Sequence, residues 1–507
     1  MGVHEIDPSF LSLPHRRLAQ AALARARDFG VAHADFRFER VRYQHLSARD
    51  GRLQGAEESE DLGFAVRVVH QGAWGFASGV DLSTDAVVRV TEQAVQVALV
   101  AAGMTRSPVV LAPEPVHPDV SWCSSYDVNP LEVPTADKAA LLRDWTSRLL
   151  AHDRVDHAAA SLQVVQENKF YADLDGTQTT QQRVRLQPWV VAHGSRGEHF
   201  DSMSTLAPPV GRGWEYLTGG PGAWDFDDEL VRLPELLAEK LAAPSVEPGA
   251  YDLVIDPSNL WLTIHESIGH ATELDRALGY EANYAGTSFA TPDQLGHLQY
   301  GSPLMQVTGD RTAEHGLATV GYDDEGVASQ EWDIIRDGVL VGYQLDRSMA
   351  HQHGRELNGG RSNGCAYADS PRHIPIQRMA NVSLQPDPAG PTTAGLISQV
   401  ERGLYIVGDK SWSIDMQRFN FQFTGQRFYA IKDGRLAGQV RDVAYQATTT
   451  EFWNSMTAVG GPQTYVLGGA FNCGKAQPGQ VAAVSHGCPS ALFRGIRVLN
   501  VAEEGAH

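Results

Sequence analysis

The sequence predicts an α+β protein in two parts: an N-terminal domain of helices on a curved antiparallel sheet, and a C-terminal, sheet-rich, barrel-like domain carrying one helix with metal-ligand residues. Three observations support this. Helical periodicity alternates with paired strand-like runs up to Leu241; Ala242-Ala243-Pro244-Ser245-Val246-Glu247-Pro248-Gly249 has linker composition; and beyond Asp275 short strands and turns follow one another closely. The domains are expected at 1–243 and 250–507, since 507 residues exceed what one hydrophobic core usually serves.

The N-terminal elements follow from local pattern. His15 to Asp28 is an Ala/Arg-rich helix stopped at Gly30, after which Ala34, Phe36 and Phe38 alternate with Asp35, Arg37 and Glu39 as in a half-buried strand. Leu62 to His70 and Ala73 to Ser78, joined by His70-Gln71-Gly72, read as a hairpin. Ser83-Thr84-Asp85 caps a helix with an apolar face from Val87 to Ala101, ending at Gly103. Thr105 to Pro134 is proline-rich and aperiodic, so it is expected to cross the surface. A helix at Ala136 to His152 precedes strands around Ala158 to Tyr171 and Thr177 to Val191, which flank an Asp175-Gly176 turn. Phe226 to Leu241 is helical, with an interruption expected near Pro234.

In the C-terminal part, Tyr251 to Ile255 is a short buried strand leading into a helix capped by Asp256 or Ser258, with Pro257 in its first turn. Trp332 to Tyr343 and Arg427 to Gly438 each read as strand, Asp-Gly turn, strand.

Composition narrows the function. The net charge of −20 and the lack of a Lys/Arg-rich stretch disfavour nucleic-acid binding, which depends on cationic neutralisation of phosphates. Met1 to Pro8 has neither a basic nor an apolar leader region, and no run of eighteen apolar residues occurs, so neither export nor membrane insertion is signalled. Cys123, Cys365, Cys473 and Cys488 show no paired spacing, which suits a reducing cytoplasm.

The most informative stretch is Ile264 to Asp275, I-H-E-S-I-G-H-A-T-E-L-D. Two imidazoles, His265 and His270, are suited to hold a catalytic zinc, and Glu266 beside the first is placed to take a proton from water. The histidines are five apart, which leaves them roughly 140° apart on an ideal helix. One inserted residue, a π-bulge, would bring them to one side, and Gly269 is where the backbone is expected to loosen.

His265, Glu266, Gly269, His270, Glu273 and Asp275 resemble the H-E-A-x-G-H-x-x-E-x-D signature of TldD-type members of the TldD/PmbA family, with Ser267 in place of the usual Ala. Similarity continues through Gly321-Tyr322-Asp323-Asp324-Glu325-Gly326, Arg378-Met379-Ala380-Asn381 and Cys473-Gly474-Lys475, although the spacing to Gln480 departs from the family pattern. The resemblance implies a zinc metallopeptidase in which His265, His270 and Cys473 hold Zn²⁺ and Glu266 is the base. It further implies extended or unfolded peptide substrates, and assembly either as a homo-oligomer such as a dimer or with a PmbA-type paralogue.

On the residues alone, Cys473 lies too far along the chain to be placed beside the histidines; Cys488 is a rival ligand and His486 a weaker one. Lys475 is expected to favour the Cys473 thiolate. Glu273 and Asp275 could orient a ligand histidine through its other nitrogen, and Tyr284, His297, Tyr367 and His373 are unassigned candidates for oxyanion stabilisation. No G-x-S-x-G, G-x-x-x-x-G-K-[ST] or post-strand G-x-G-x-x-G occurs. Two alternatives stay open: a non-catalytic binding or scaffold subunit stabilised by metal, and a hydrolase of a non-peptide amide.

The charge balance generates a first prediction. Plain duplex DNA should show no mobility shift with the protein at physiological salt; a salt-sensitive, sub-micromolar shift would contradict it.

Overall fold

The strand alternation read above becomes, in three dimensions, one sheet with two unlike faces, both buried over its central part, while Arg52 to Glu60 of the second strand is largely exposed. The computed structural model describes residues 5–220, 222–354 and 357–504. Strands β1 (His33–Arg49), β2 (Arg52–His70), β3 (Ala73–Gly79), β4 (Val120–Cys123), β5 (His157–Asp173), β6 (Gln178–Arg196) and β7 (His199–Ser204) form a seven-stranded sheet of order β3-β2-β1-β5-β6-β4, with β7 added to β6. Asp50-Gly51 and Gln71-Gly72 join the hairpins with both residues at positive φ, the conformation whose twist matches antiparallel strands.

Even-numbered side chains of β1 and β5, among them Phe36, Phe38, Leu46, Leu162 and Phe170, face four helices, His15–Asp28, Thr84–Ala102, Thr135–Leu150 and Phe226–Ala242. Odd-numbered positions of the same sheet carry Asp35, Arg37, Glu39, Arg67, Glu167, Lys169 and Arg183, all buried. β1 is therefore not the half-buried strand expected. Its polar face is covered by the C-terminal part and is tolerated because the charges are paired.

Other departures have plain causes. The helix at Phe226–Ala242 runs through Pro234 without the expected break, and Leu233, Pro234 and Leu237 are buried together in it. β1 and β2 are far longer than their apolar segments because Arg40 to Asp61 pair in register despite their polarity. β4 lies inside the stretch expected to lack structure, paired in parallel with β6.

The C-terminal strands are β8 (Gly249–Ile255), β9 (Val307–Asp310), β10 (Glu331–Arg336), β11 (Val339–Leu340), β12 (Ala366–Tyr367), β13 (Ile376–Gln377), β14 (Asn381–Leu384), β15 (Arg402–Ile414), β16 (Asn420–Lys432), β17 (Arg435–Val440), β18 (Val443–Thr448), β19 (Met456–Val459), β20 (Val466–Lys475), β21 (Gln480–Cys488) and β22 (Ala491–Asn500). The circuit β15-β8-β22-β18-β16 closes through the β15–β16 pair into a five-stranded barrel, which has no edges among those strands. Both Asp-Gly turns, Asp337-Gly338 and Asp433-Gly434, adopt the positive φ values that this pair favours. The helix Pro257–Ile264 leaves β8 with Asp256 as its cap and packs on the β20–β21 hairpin. No helix among the described residues is long and apolar enough to cross a membrane.

The Gly321–Gly326 segment joins the two parts. Gln181 accepts from the Gly321 and Tyr322 amides at 2.9 and 2.8 Å, Lys169 donates to Asp324 at 2.7 Å, and Arg67 donates to Glu325 at 3.0 Å. That segment is a polar joint between the charged sheet face and the C-terminal loops, which fixes the N-terminal wall of the cleft described next.

Candidate metal centre

Residues His265–Gly269 form a π-helical turn continuing the helix Pro257–Ile264, and the His270 amide bonds the His265 carbonyl at 3.0 Å. The extra residue brings the two rings together, with centroids 4.7 Å apart. Widening a helix leaves carbonyls without their usual donors. Tyr300 donates to Ser267 O, Gln344 Nε2 to Gly269 O at 2.7 Å, and Thr272 Oγ1 to Ile268 O at 2.8 Å. Ser267 itself donates to Thr263 O at 2.5 Å and accepts from Trp453 Nε1 at 3.0 Å, so its hydroxyl has buried partners. Gly269 has no unusual φ; it is required because a Cβ there would lie 2.6 Å from Met379 Sδ.

Cys473 arrives on β20, after a register irregularity between Ala470 and Cys473. His265, His270 and Cys473 each offer a ligand atom, and these atoms lie within 4.8 Å of one another; Cys473 Sγ is 3.7 Å from His270 Nε2. Cys488 lies outside this group, its thiol 3.7 Å from Pro257 O, and burial holds that thiol well above the usual range.

The hydrogen-bond network assigns the tautomers. His486 Nδ1 faces the Val382 carbonyl at 2.8 Å and must carry the proton there, so its Nε2 accepts from His265 Nδ1–H at 2.7 Å. His270 Nδ1–H donates to Glu273 Oε2 at 2.9 Å. Both histidines thereby keep Nε2 unprotonated, and His270 Nε2 faces Cys473. His486, read as a weak rival ligand, is instead the partner orienting His265. Its role was invisible because it lies 221 residues from that partner. Glu273 does orient a histidine; Asp275 does not.

Lys475 does not support the thiolate as expected. It is buried and bonds Asp275 at 2.8 Å and Glu273 at 3.1 Å, with Glu281 at 3.4 Å. Burial opposes the Cys473 thiolate, but His270 and then Arg378 outweigh it and hold the thiol below its usual range. Arg378 also donates to the Cys473 carbonyl at 2.5 Å. Burial lowers His265. Burial would raise Glu266, but His270, His265 and Arg418 together hold it below the ordinary carboxyl range.

Glu266 accepts from Arg418 Nη1 at 2.7 Å. These groups line a cleft of about 700 Å³ whose opposite wall is built from β6, β7 and the following loop, including Trp189, Ser204 and Trp224. None of Tyr284, His297, Tyr367 and His373 lines it. Tyr367 donates to Glu167 at 2.6 Å, and His373 pairs with Asp369 at 2.6 Å. Two imidazole nitrogens and a thiolate-prone sulfur, with orienting partners behind both rings, fit a zinc ion.

Comparison with known proteins points the same way. The family described as PmbA/TldA metallopeptidase C-terminal domain matches residues 248–500, and PmbA/TldA metallopeptidase domain 1 matches residues 34–98. A Methanothermobacter thermautotrophicus protein named metalloprotease is 29% identical over 485 residues, covering 92% of this chain and 95% of its own. A Haemophilus influenzae metalloprotease TldD homolog is 27% identical over 476 residues, covering 92% and 93%. A Saccharolobus solfataricus zinc metalloprotease TldD homolog is 22% identical over 494 residues, covering 94% and 98%. Among solved structures, a Thermotoga maritima protein described as a DNA gyrase modulator superposes with TM-score 0.75 at 16% identity over 96% of this chain and all of its own. TldE from Thermococcus kodakarensis gives 0.69 at 15% identity over 95% and 99%. At these identities the structural likeness establishes the fold.

The carboxylate cluster behind His270 generates a second prediction. Lys475→Met leaves Glu273, Asp275 and Glu281 without their shared cation and should lower the unfolding free energy by about 3–5 kcal/mol. Urea denaturation measures this; a loss under about 1 kcal/mol would show that Arg276 alone balances the cluster.

Proposed function

The chain belongs to the PmbA/TldD metallopeptidase family, and on that premise we propose that it hydrolyses peptide bonds in extended or unfolded peptides. The observation that supports this best is the convergence of His265 Nε2, His270 Nε2 and Cys473 Sγ on one point of a long cleft, with the Glu266 carboxylate facing the same cleft. These three atoms are the proposed ligands. When bound, zinc supplies a Lewis acid that polarises the scissile carbonyl and makes water more acidic.

The protein's own groups do the rest. His486 and Glu273 keep the proton on each ligand histidine at Nδ1, so that neither ring can turn its acceptor nitrogen away. Glu266 takes the proton of the attacking water on a carboxylate oxygen and delivers it to the leaving amine. The cleft walls exclude bulk water from one side of the peptide and leave room for an extended main chain. Main-chain bonding suits loose sequence preference. With Cys488 outside the donor group, three ligands leave a position open for water, which favours the catalytic reading over a closed structural site. A PmbA-type paralogue or a second copy is the proposed partner, and the likeness to TldE supports the former.

Two predictions follow from these assignments. Purified protein should carry about one zinc per chain, and Cys473→Ser should lose most of it; full occupancy in that variant, by atomic emission, excludes the cysteine as a ligand. Glu266→Gln should keep metal and fold while kcat on an unstructured peptide falls by about 10²–10⁴. The assay is run with and without a co-purified paralogue, and undiminished cleavage with zinc bound would leave the binding-subunit reading as the better one.

A further inference from the structure

Arg418 stands at the tip of the β15–β16 hairpin with φ +64°, a left-handed conformation in which glycine is the unstrained choice. The turn is fixed on every side. Asp415 Oδ1 accepts from the Gln417 and Phe419 amides at 3.1 and 2.8 Å, and its Oδ2 accepts from Asn420 N at 3.0 Å. Thr287 N and Phe289 N donate to the carbonyls of Met416 and Gln417 at 2.8 and 2.9 Å, and Thr449 Oγ1 donates to Arg418 O at 2.8 Å. A long cationic side chain is thus held on a strained, rigid turn and pointed into the cleft beside the proposed ligands. Such strain persists where surrounding structure imposes it, and it clusters at functional positions.

What the guanidinium does there is only partly accounted for. Its Nη1 donates to Glu266 Oε2, and this is the hydrogen bond its side chain makes among the described residues; Nε is buried without a partner. A guanidinium presents a planar fork suited to grip a carboxylate with two parallel bonds, and a single bond leaves that capacity unused.

We infer that Arg418 makes the site selective for peptides that present a carboxylate next to the scissile bond, either a C-terminal carboxylate or an acidic side chain. Resting on the peptidase reading above, this assigns the guanidinium two partners in turn: Glu266 in the free protein and the substrate carboxylate in the complex. Exchange moves the guanidinium from Glu266 to the substrate carboxylate as the peptide is seated. A peptide without a carboxylate at that place leaves Glu266 held.

Two matched peptide pairs test this on the full chain. One pair lacks acidic side chains and differs in a free or amidated C-terminus; the other is amidated and differs by Glu or Gln beside the scissile bond. Binding is measured by fluorescence anisotropy on the chelator-treated protein, and kcat/KM on the zinc-loaded protein. Wild type should prefer the carboxylate member of at least one pair by about tenfold or more in Kd, the scale of a charge-assisted hydrogen bond. The pair that responds identifies the source of the carboxylate. Arg418→Gly, which suits the left-handed backbone and should fold, should bring that ratio within about twofold, and Arg418→Lys should restore part of it. No preference in wild type, or a preference that survives in Arg418→Gly, overturns the inference. If no peptide is cut, the hydrolase reading fails, while the binding ratios still decide the role of Arg418.

Discussion

One backbone hydrogen bond sets the geometry of the centre, that from the His270 amide to the His265 carbonyl. Were the amide bonded to Glu266 in ordinary α-helical register, His270 would sit about 100° further round the axis and miss Cys473. The wider turn is unfavourable in isolation, and the structure shows what sustains it. Tyr300 and Gln344 satisfy the carbonyls of Ser267 and Gly269, and Met379 packs where a side chain at Gly269 would be. Ser267, Trp453 and Thr263 tie the turn to the barrel core. A helix alone would not keep this register; a helix sheathed by these residues does.

Charge is distributed with similar economy. The chain is strongly acidic overall, yet many of its buried cations gather at two places, the charged face of the N-terminal sheet and the shell of the centre. In the first, Arg67 and Lys169 meet Glu325 and Asp324 and hold the two parts in one relative position, while Arg183 pairs with Glu167 within the sheet. In the second, Lys475 and Arg276 neutralise Glu273, leaving that carboxylate ionised to accept the His270 proton. Both clusters exchange hydration for tight pairing. They are therefore sensitive to loss of a single member rather than to ionic strength.

What was legible in the sequence divides along the same physical lines. The helices, the Asp-Gly hairpins and the barrel-like character came from local chemistry, because period and turn residues are read within a few positions. The five-residue spacing of His265 and His270 was enough to require a π-bulge, since helix geometry admits few other solutions. Strand length was not legible between Arg40 and Asp61, where β2 is largely exposed and polar and only its backbone pairing with β1 makes it a strand. The roles of His486, Arg378 and Arg418 escaped for a different reason. Each acts on a residue of the site from 95 to 221 positions away, and one sequence carries no signal for such pairs. Lys475 misled because, although it shares a strand face with Cys473 two residues earlier, its long side chain reaches past the sulfur to Asp275 and Glu273.

The order of strands in the barrel has a consequence for synthesis. β8, which leads into the histidine helix, pairs with β15 and β22, so the barrel's opening strand waits some 150 residues for its first neighbour and some 240 for its second. Cys473, too, is added 203 residues after His270. As the chain is made, the two histidines and Glu266 emerge long before the sulfur and the strand that closes the wall beneath them. A nascent chain thus carries an incomplete donor set throughout the period when its own unfolded segments are most exposed. The topology itself delays assembly of the donor set until the barrel can close.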